Sequence, residues 1–329
     1  MNPHRKYMQR CFQLAVHGLG GTYPNPLVGC VIVAHDAIIG EGFHQKAGGP
    51  HAEVEAIRSI TNEALLEDAT VYVNLEPCTH HGRTPPCADL LIVSKVKRVI
   101  IANTDPFPEV SGRGIERLRA AGVEVITGIL SDEGEYLNRR FFTYWKKRRP
   151  YIILKWAQSA DGFMDKLRGP HDRGSHPISS APASRLVHLW RAQEQAILVG
   201  TRTAMTDNPY LTVRHVQGPN PVRLAIDPEG VLPGNLRLFR DDTPSFVLRS
   251  DDAGGWAEEM YGHGIQSVLV EGGAKTLRSF IEAGLWDEAR VIQSPALLHG
   301  GLPAPLLPGS PYFQESCGPD QIDYFYPPA

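Results

Sequence analysis

Apolar and polar positions alternate along this chain with two periods, and the switches between them predict its elements. Tyr7, Met8, Cys11, Phe12, Ala15 and Leu19 recur at helical spacing, so residues 5–19 read as a first helix ending near Gly20-Gly21. Val28 to Val33 is a short apolar run and predicts a buried strand, with Ala37 to Phe43 as its hairpin partner. A glycine-rich loop from His44 to Pro50 delivers His51 to a helix carrying Val54, Ile57 and Ile60. Strands follow at Ala69–Leu75, Val96–Ala102 and Val123–Ile126, with helices around Leu90, Leu91 and Val93 and from Gly114 to Ala121. Pro77-Cys78 reads as the opening of a helical element, because proline is tolerated in a first turn. Glu135 to Phe142 is predicted as one helix, and Lys146-Lys147-Arg148-Arg149-Pro150 is a charged stop. After it the alternation restarts, which predicts domains at 1–147 and 148–329. The second half begins with a strand at Tyr151–Trp156, continues with strands at Ala196–Val199, Val222–Ile226, Ser245–Leu248 and Ser267–Val270, and carries helices at Ser184–Gln193 and Thr276–Ala283. Beyond Pro303 the mixture of prolines and apolar residues supports no assignment.

Composition changes this picture little. A length of 329 residues suits two domains, and 42% hydrophobic with 21% charged residues describes an ordinary globular chain. A formal charge of −3 gives no general attraction to polyanions, so nucleic acid is not the expected partner. No run approaches 18 apolar residues, and residues 1–6 lead into an amphipathic segment, so the expected location is cytoplasmic, without membrane attachment. Of five cysteines, Cys11, Cys30 and Cys317 read as small hydrophobes in a reducing compartment.

The other two cysteines carry chemistry. His51-Ala52-Glu53 is followed by Glu76-Pro77-Cys78 and then, after eight intervening residues, by Cys87. One imidazole and two thiolates suit Zn²⁺, and three protein ligands leave a fourth position for water. Such a cation lowers the pKa of water from about 15.7 to roughly 7. A carboxylate two residues after the histidine stands beside that water as general acid/base, the arrangement of zinc deaminases, whose cysteines are usually closer together. A structural zinc site is normally closed by four ligands, and no fourth cysteine lies at short spacing. A ligand cysteine at a helix start gains from the dipole, which favours thiolate. In the second half no G-x-G-x-x-G occurs, but Gly272-Gly273 lies between the strand ending Val270-Glu271 and a helix beginning near Thr276. Glycines there permit close backbone approach, and free N–H groups at a helix start attract a diphosphate.

The segments PNPLVGCVIV, GPHAEVEAI, NLEPCTHHGRTPPC and DPFPEVSGRG resemble the diaminohydroxyphosphoribosylaminopyrimidine deaminases of riboflavin biosynthesis. ILKWAQSADG, LWRAQEQAILVGTRTAMTDNPYLTVR and VEGGAKTL resemble the reductase of the same pathway, and the order matches bifunctional bacterial enzymes over essentially the whole chain. The resemblance implies an α/β protein: an N-terminal cytidine-deaminase-like three-layer domain and a C-terminal dihydrofolate-reductase-like domain. It implies zinc on His51, Cys78 and Cys87, with Glu53 as proton shuttle. A phosphoribosylated pyrimidine is expected to meet Asn25, His44, His80 and Arg83, His80 being favoured over His81. In the reductase half, Lys155, Asp207 and Glu271 match positions around the reacting sugar, and Ser175, Arg191, Leu211 and Arg214 match positions holding substrate. NADPH is implied beside Ala157, Thr203, Asp207 and the turn Gly273, Ala274, Lys275, Thr276 through Ser279. A homo-oligomer is expected. Two departures stand out: Pro177-Ile178-Ser179 replaces a tryptophan–isoleucine–threonine triplet, and Asp165 replaces a small residue. The rival readings are a nucleic-acid base deaminase, which wants a basic, aromatic face, and a non-catalytic zinc module fused to a reductase.

Overall fold

The computed structural model describes residues 3–79, 85–169 and 171–328. They form two compact units, Met1–Lys147 and Arg148–Ala329.

The first unit runs α1 (Pro3–Ala15), β1 (Gly29–Ala34), β2 (Ala37–Phe43), α2 (Ala52–Arg58), β3 (Thr70–Leu75), α3 (Cys87–Val93), β4 (Arg98–Asn103), α4 (Arg113–Ala120), β5 (Glu124–Thr127), α5 (Ser131–Leu137) and α6 (Arg139–Lys147). Its five-stranded sheet has the order β2-β1-β3-β4-β5. β1 is antiparallel to both neighbours, and β3, β4 and β5 are parallel. The apolar run in β1 is continuous because both faces are covered. Cys30 and Ile32 pack with Ala52 and Ala56 of α2 and Leu91 of α3, whereas Val31 and Val33 pack with Met8 and Cys11 of α1. That gives three layers.

Two expectations fail here. Cys78 does not open a helix: it lies in an extended segment, and the helix start belongs to Cys87, ahead of which Pro86 sits outside α3. The predicted helix at 135–142 is instead two, α5 and α6, parted at Asn138. The Asn138 side chain accepts from Leu27 N at 2.8 Å and donates to Leu27 O at 2.9 Å, so it serves the loop after Pro26.

The second unit runs β6 (Tyr151–Gln158), β7 (Phe163–Asp165), α7 (Ala181–Gln193), β8 (Ala196–Val199), α8 (Thr201–Asp207), β9 (Val222–Ile226), β10 (Ser245–Leu248), α9 (Ala253–Gly262), β11 (Ser267–Val270), α10 (Ala274–Glu282), β12 (Glu288–Gln293), β13 (Leu302–Pro303), β14 (Phe313–Cys317) and β15 (Asp320–Phe325). Its eight-stranded sheet has the order β10-β9-β8-β11-β6-β12-β15-β14. The strands from β10 to β12 are parallel, and the β14–β15 hairpin adds antiparallel to β12. One face buries Ile152, Leu154 and Val268 against Trp256, Leu277 and Phe280; the other buries Tyr151, Ile153 and Leu269 against Val187 and Trp190. Each such large side chain contributes roughly 1.5–3 kcal/mol. Among the described residues no helix is long and apolar enough to cross a membrane. Cys11 and Cys30 are fully buried, and Cys317 is only half-buried.

Candidate active sites

In the first unit, β2 and β3, on either side of β1, end at the same edge of the sheet, near the starts of α2 and α3, and the donor atoms meet there. The ligand atoms of His51, Cys78 and Cys87 lie within 4.8 Å of one another. His51 Nδ1 is 3.3 Å from Cys87 Sγ and 3.5 Å from Cys78 Sγ, and Cys87 N–H donates to Cys78 Sγ at 3.4 Å. Hydrogen bonding from Cys87, with His51 assisting, holds the Cys78 thiol down to about 4, and the same contact with Cys78 lifts His51 to about 9. A low thiol and an imidazole aimed at one point form a donor set that fits zinc. Glu53, on the first turn of α2, is buried at 3% exposure, and that burial raises its carboxyl above the ordinary range.

Asn25 Nδ2 is 3.0 Å from His44 Nε2, and His44 Nδ1 is 2.9 Å from the Pro50 carbonyl. The His44 ring meets His51 edge-on at 5.5 Å between centroids. The loop bearing Asn25 is pinned by Asn138 and by Asn74, which accepts from Gly29 N and donates to Leu27 O. His80 and Arg83 lie outside the described residues.

One neighbour of the donor set has a structural part that the sequence did not reveal. Glu76, adjacent to the Pro-Cys ligand pair, accepts from Asp105 N, Gly112 N, Gly114 N and Ile115 N at 2.8–3.2 Å, gathering the start of α4 onto the metal-site loop. Gly114 is required for this approach, since a Cβ there would meet the Pro77 carbonyl oxygen at 2.2 Å. Asp105, buried beside Glu76, is raised to about 7 by desolvation. The only sequence signal was the DPFPEVSGRG segment itself.

In the second unit Glu271 follows β11 and is the hub. Lys155 Nζ donates to it at 3.3 Å, and Arg191 donates twice, at 2.7 and 2.8 Å. Burial pushes the Glu271 carboxyl up, but Arg191 and Lys155 outweigh it and hold the group well below the carboxylate range. Arg191 also donates to Thr212 O, and Arg214 donates to Thr212 Oγ1 and, through its backbone N–H, to His188 Nδ1. Leu211 is buried beneath, with a left-handed φ of 54°. Thr203 Oγ1 lies 3.2 Å from where a Cβ on Gly273 would stand, so the start of α8 abuts Gly273 and the first turn of α10, which carries Ala274, Lys275 and Thr276. Ala157 is half-buried on β6, and Ser175 is exposed with no hydrogen bond to the Glu271 cluster. Asp207 is paired to Arg168 at 2.7 Å and not to Lys155 or Glu271. Arg202, Lys275, Thr201 and Arg173 help line a cavity of about 360 Å³ between α8, β9 and the Gly-Gly turn.

Residues 150–320 match the family described as the RibD C-terminal domain, and residues 1–103 match the cytidine and deoxycytidylate deaminase zinc-binding region. The riboflavin biosynthesis protein RibD of Aquifex aeolicus is 39% identical over 91% of this chain and 88% of its own length. That of Escherichia coli is 39% identical over 89% of this chain and 88% of its own. The crystal structure of a diaminohydroxyphosphoribosylaminopyrimidine deaminase/5-amino-6-(5-phosphoribosylamino)uracil reductase from Thermotoga maritima superimposes with a TM-score of 0.89 at 36% identity, covering 99% of both chains. Acinetobacter baumannii RibD gives 0.90 at 33% identity, again over 99% of both. Both halves and their order agree, and the chain belongs to the RibD family, the bifunctional deaminase and reductase of riboflavin biosynthesis.

Proposed function

We propose that the first unit removes the ring amino group of 2,5-diamino-6-(5-phosphoribosylamino)pyrimidin-4(3H)-one and that the second reduces the ribosyl group of the product with NADPH. The observation that carries the first step is the buried Glu53 carboxyl beside the convergent His51, Cys78 and Cys87 donors. A zinc ion held by those three residues supplies Lewis acidity and a water that ionises near neutral pH. Glu53 would pass one proton of the attacking water to the ring nitrogen and then the second, from the hydroxyl so formed, to the amino group that leaves as ammonia, for which a raised carboxyl pKa is suited. Asn25 and His44 orient the heterocycle and its sugar, with His80 and Arg83 proposed for the ribose and phosphate.

For the second step, Lys155 and Arg191 pair with one carboxylate, Glu271, and Arg214 stands within its electrostatic reach on Thr212, which leaves net positive charge for a phosphoribosyl substrate. Glu271 fixes Lys155 and Arg191 in place; Lys155 supplies a proton as the ribose ring opens to an imine, while Ser175 and Leu211 bound the sugar. NADPH supplies the hydride. Ala157, Thr203, Asp207 and the Gly273–Thr276 turn hold that cofactor. The free cysteines agree with a reducing, cytoplasmic setting.

Mass spectrometry of the diaminopyrimidinone ribotide incubated with purified protein tests both steps. The expected result is replacement of NH by O without NADPH, and a further gain of two hydrogens with it. Unchanged ribotide in either arm removes the corresponding assignment.

A further inference from the structure

None of the roles above uses Arg168, yet its side chain is only 10% exposed. Its Nε donates to Asp165 Oδ2 at the end of β7. Nη1 donates both to Asp207 Oδ1 at 2.7 Å, at the end of α8, and to the Gly174 carbonyl at 2.9 Å. The Gly174 N–H in turn donates to the Thr206 carbonyl at 2.9 Å. One guanidinium therefore ties β7, the backbone at Gly174 and the last turn of α8 together.

The residue next to that tie is Arg173, whose side chain lines the 360 Å³ cavity together with Thr206, Arg202 and Lys275. Two acids also line it. The Asp227 carboxylate is already engaged by Val231 N, Leu232 N and Arg249, which leaves Glu229 against three cations. Lys275 lies in the first turn of α10, just after Gly273, so the cavity adjoins the stretch assigned to the cofactor. A cavity of this size with surplus positive charge takes a phosphate-bearing portion of a dinucleotide.

Resting on the NADPH assignment above, we propose that Arg168 is a positioning residue for cofactor binding: by clamping Asp165, Asp207 and the Gly174 carbonyl it presents Arg173 to the cavity's anion. An untethered backbone at Arg173 and Gly174 would have to be ordered when the cofactor binds, and fixing it beforehand removes that part of the cost. Arg168 itself touches no part of the cavity lining and acts through its neighbour.

The test is calorimetric titration of the full-length protein with NADPH alone, for the wild type, Arg168→Ala, Arg173→Ala and the double variant. Each single variant is expected to weaken Kd about tenfold, as expected for a lost charge-assisted contact. The double variant should be no weaker than Arg173→Ala alone, to within about twofold, and Arg168→Lys should recover part of the loss. If losses multiply in the double variant, or Arg168→Ala binds NADPH as the wild type does, Arg168 does not act through Arg173. Should Arg168→Ala fail to fold, Asp165→Asn, which removes one arm of the clamp, carries the same comparison. A wild type that binds no NADPH overturns the cofactor assignment itself, a result distinct from either.

Discussion

In the proposed deamination Glu53 carries the protons, because it is buried two residues after His51 and interacts with Cys87. Glu53→Gln is expected to lower the deamination rate by about 10²–10⁴-fold, the range for loss of a general acid/base, with bound zinc unchanged by elemental analysis. Lys155→Ala should abolish reduction of the deaminated ribotide, read as NADPH oxidation. At His188, burial and the neighbouring Arg191 and Arg214 lower the imidazole pKa to about 4. Its folded pKa lies below the ordinary value of about 6.5, so between those two pH values only the unfolded chain takes up the proton. His188 therefore stabilises the second unit fully above about pH 6.5, and that contribution is lost progressively as pH falls toward 4. NMR titration should find the His188 ring neutral at pH 5.5. The convergence of His51, Cys78 and Cys87 was legible from spacing, since few residue types bind zinc and the motif places them close together. Glu76, Asp105 and Arg168 were not, because isolated acids and arginines read as surface charge until their partners, up to 39 residues away, are folded against them.

At the scale of elements, α4 depends on a side chain outside it. Glu76→Ala leaves four backbone N–H groups without their acceptor, and is expected to cost about 2–4 kcal/mol in the first unit. Denaturation followed by the fluorescence of Trp145, the first unit's tryptophan, reads this directly. Strands β8 to β11 were legible to the residue because each is a short apolar run in a parallel sheet covered on both faces. β15 was not, because Asp320 and Asp323 are buried in it, Asp323 satisfied by Gln293, Gln314 and Gln321. α8 buries only Ala204, and α9 opens with a Gly-Gly pair that argues against a helix. The split at Asn138 was hidden for a similar reason: the residues around it keep helical character, while its side chain is drawn to Leu27, which lies 111 positions earlier.

For the whole molecule, two units with separate donor sets imply two separable reactions. A strong chelator should stop deamination while leaving NADPH-dependent reduction of an already deaminated ribotide intact; loss of both would tie reduction to the metal. The order of the two units was legible because each carries its own motif set, and the residues that serve them lie within their own unit.

Deamination as proposed rests on a three-ligand metal centre with one position left for water. X-ray absorption at the zinc edge of the purified full-length protein reports that shell directly. The predicted result is two sulfurs at about 2.3 Å, one imidazole nitrogen at about 2.0 Å and one oxygen. A shell of four protein ligands, or protein without stoichiometric zinc, would contradict it.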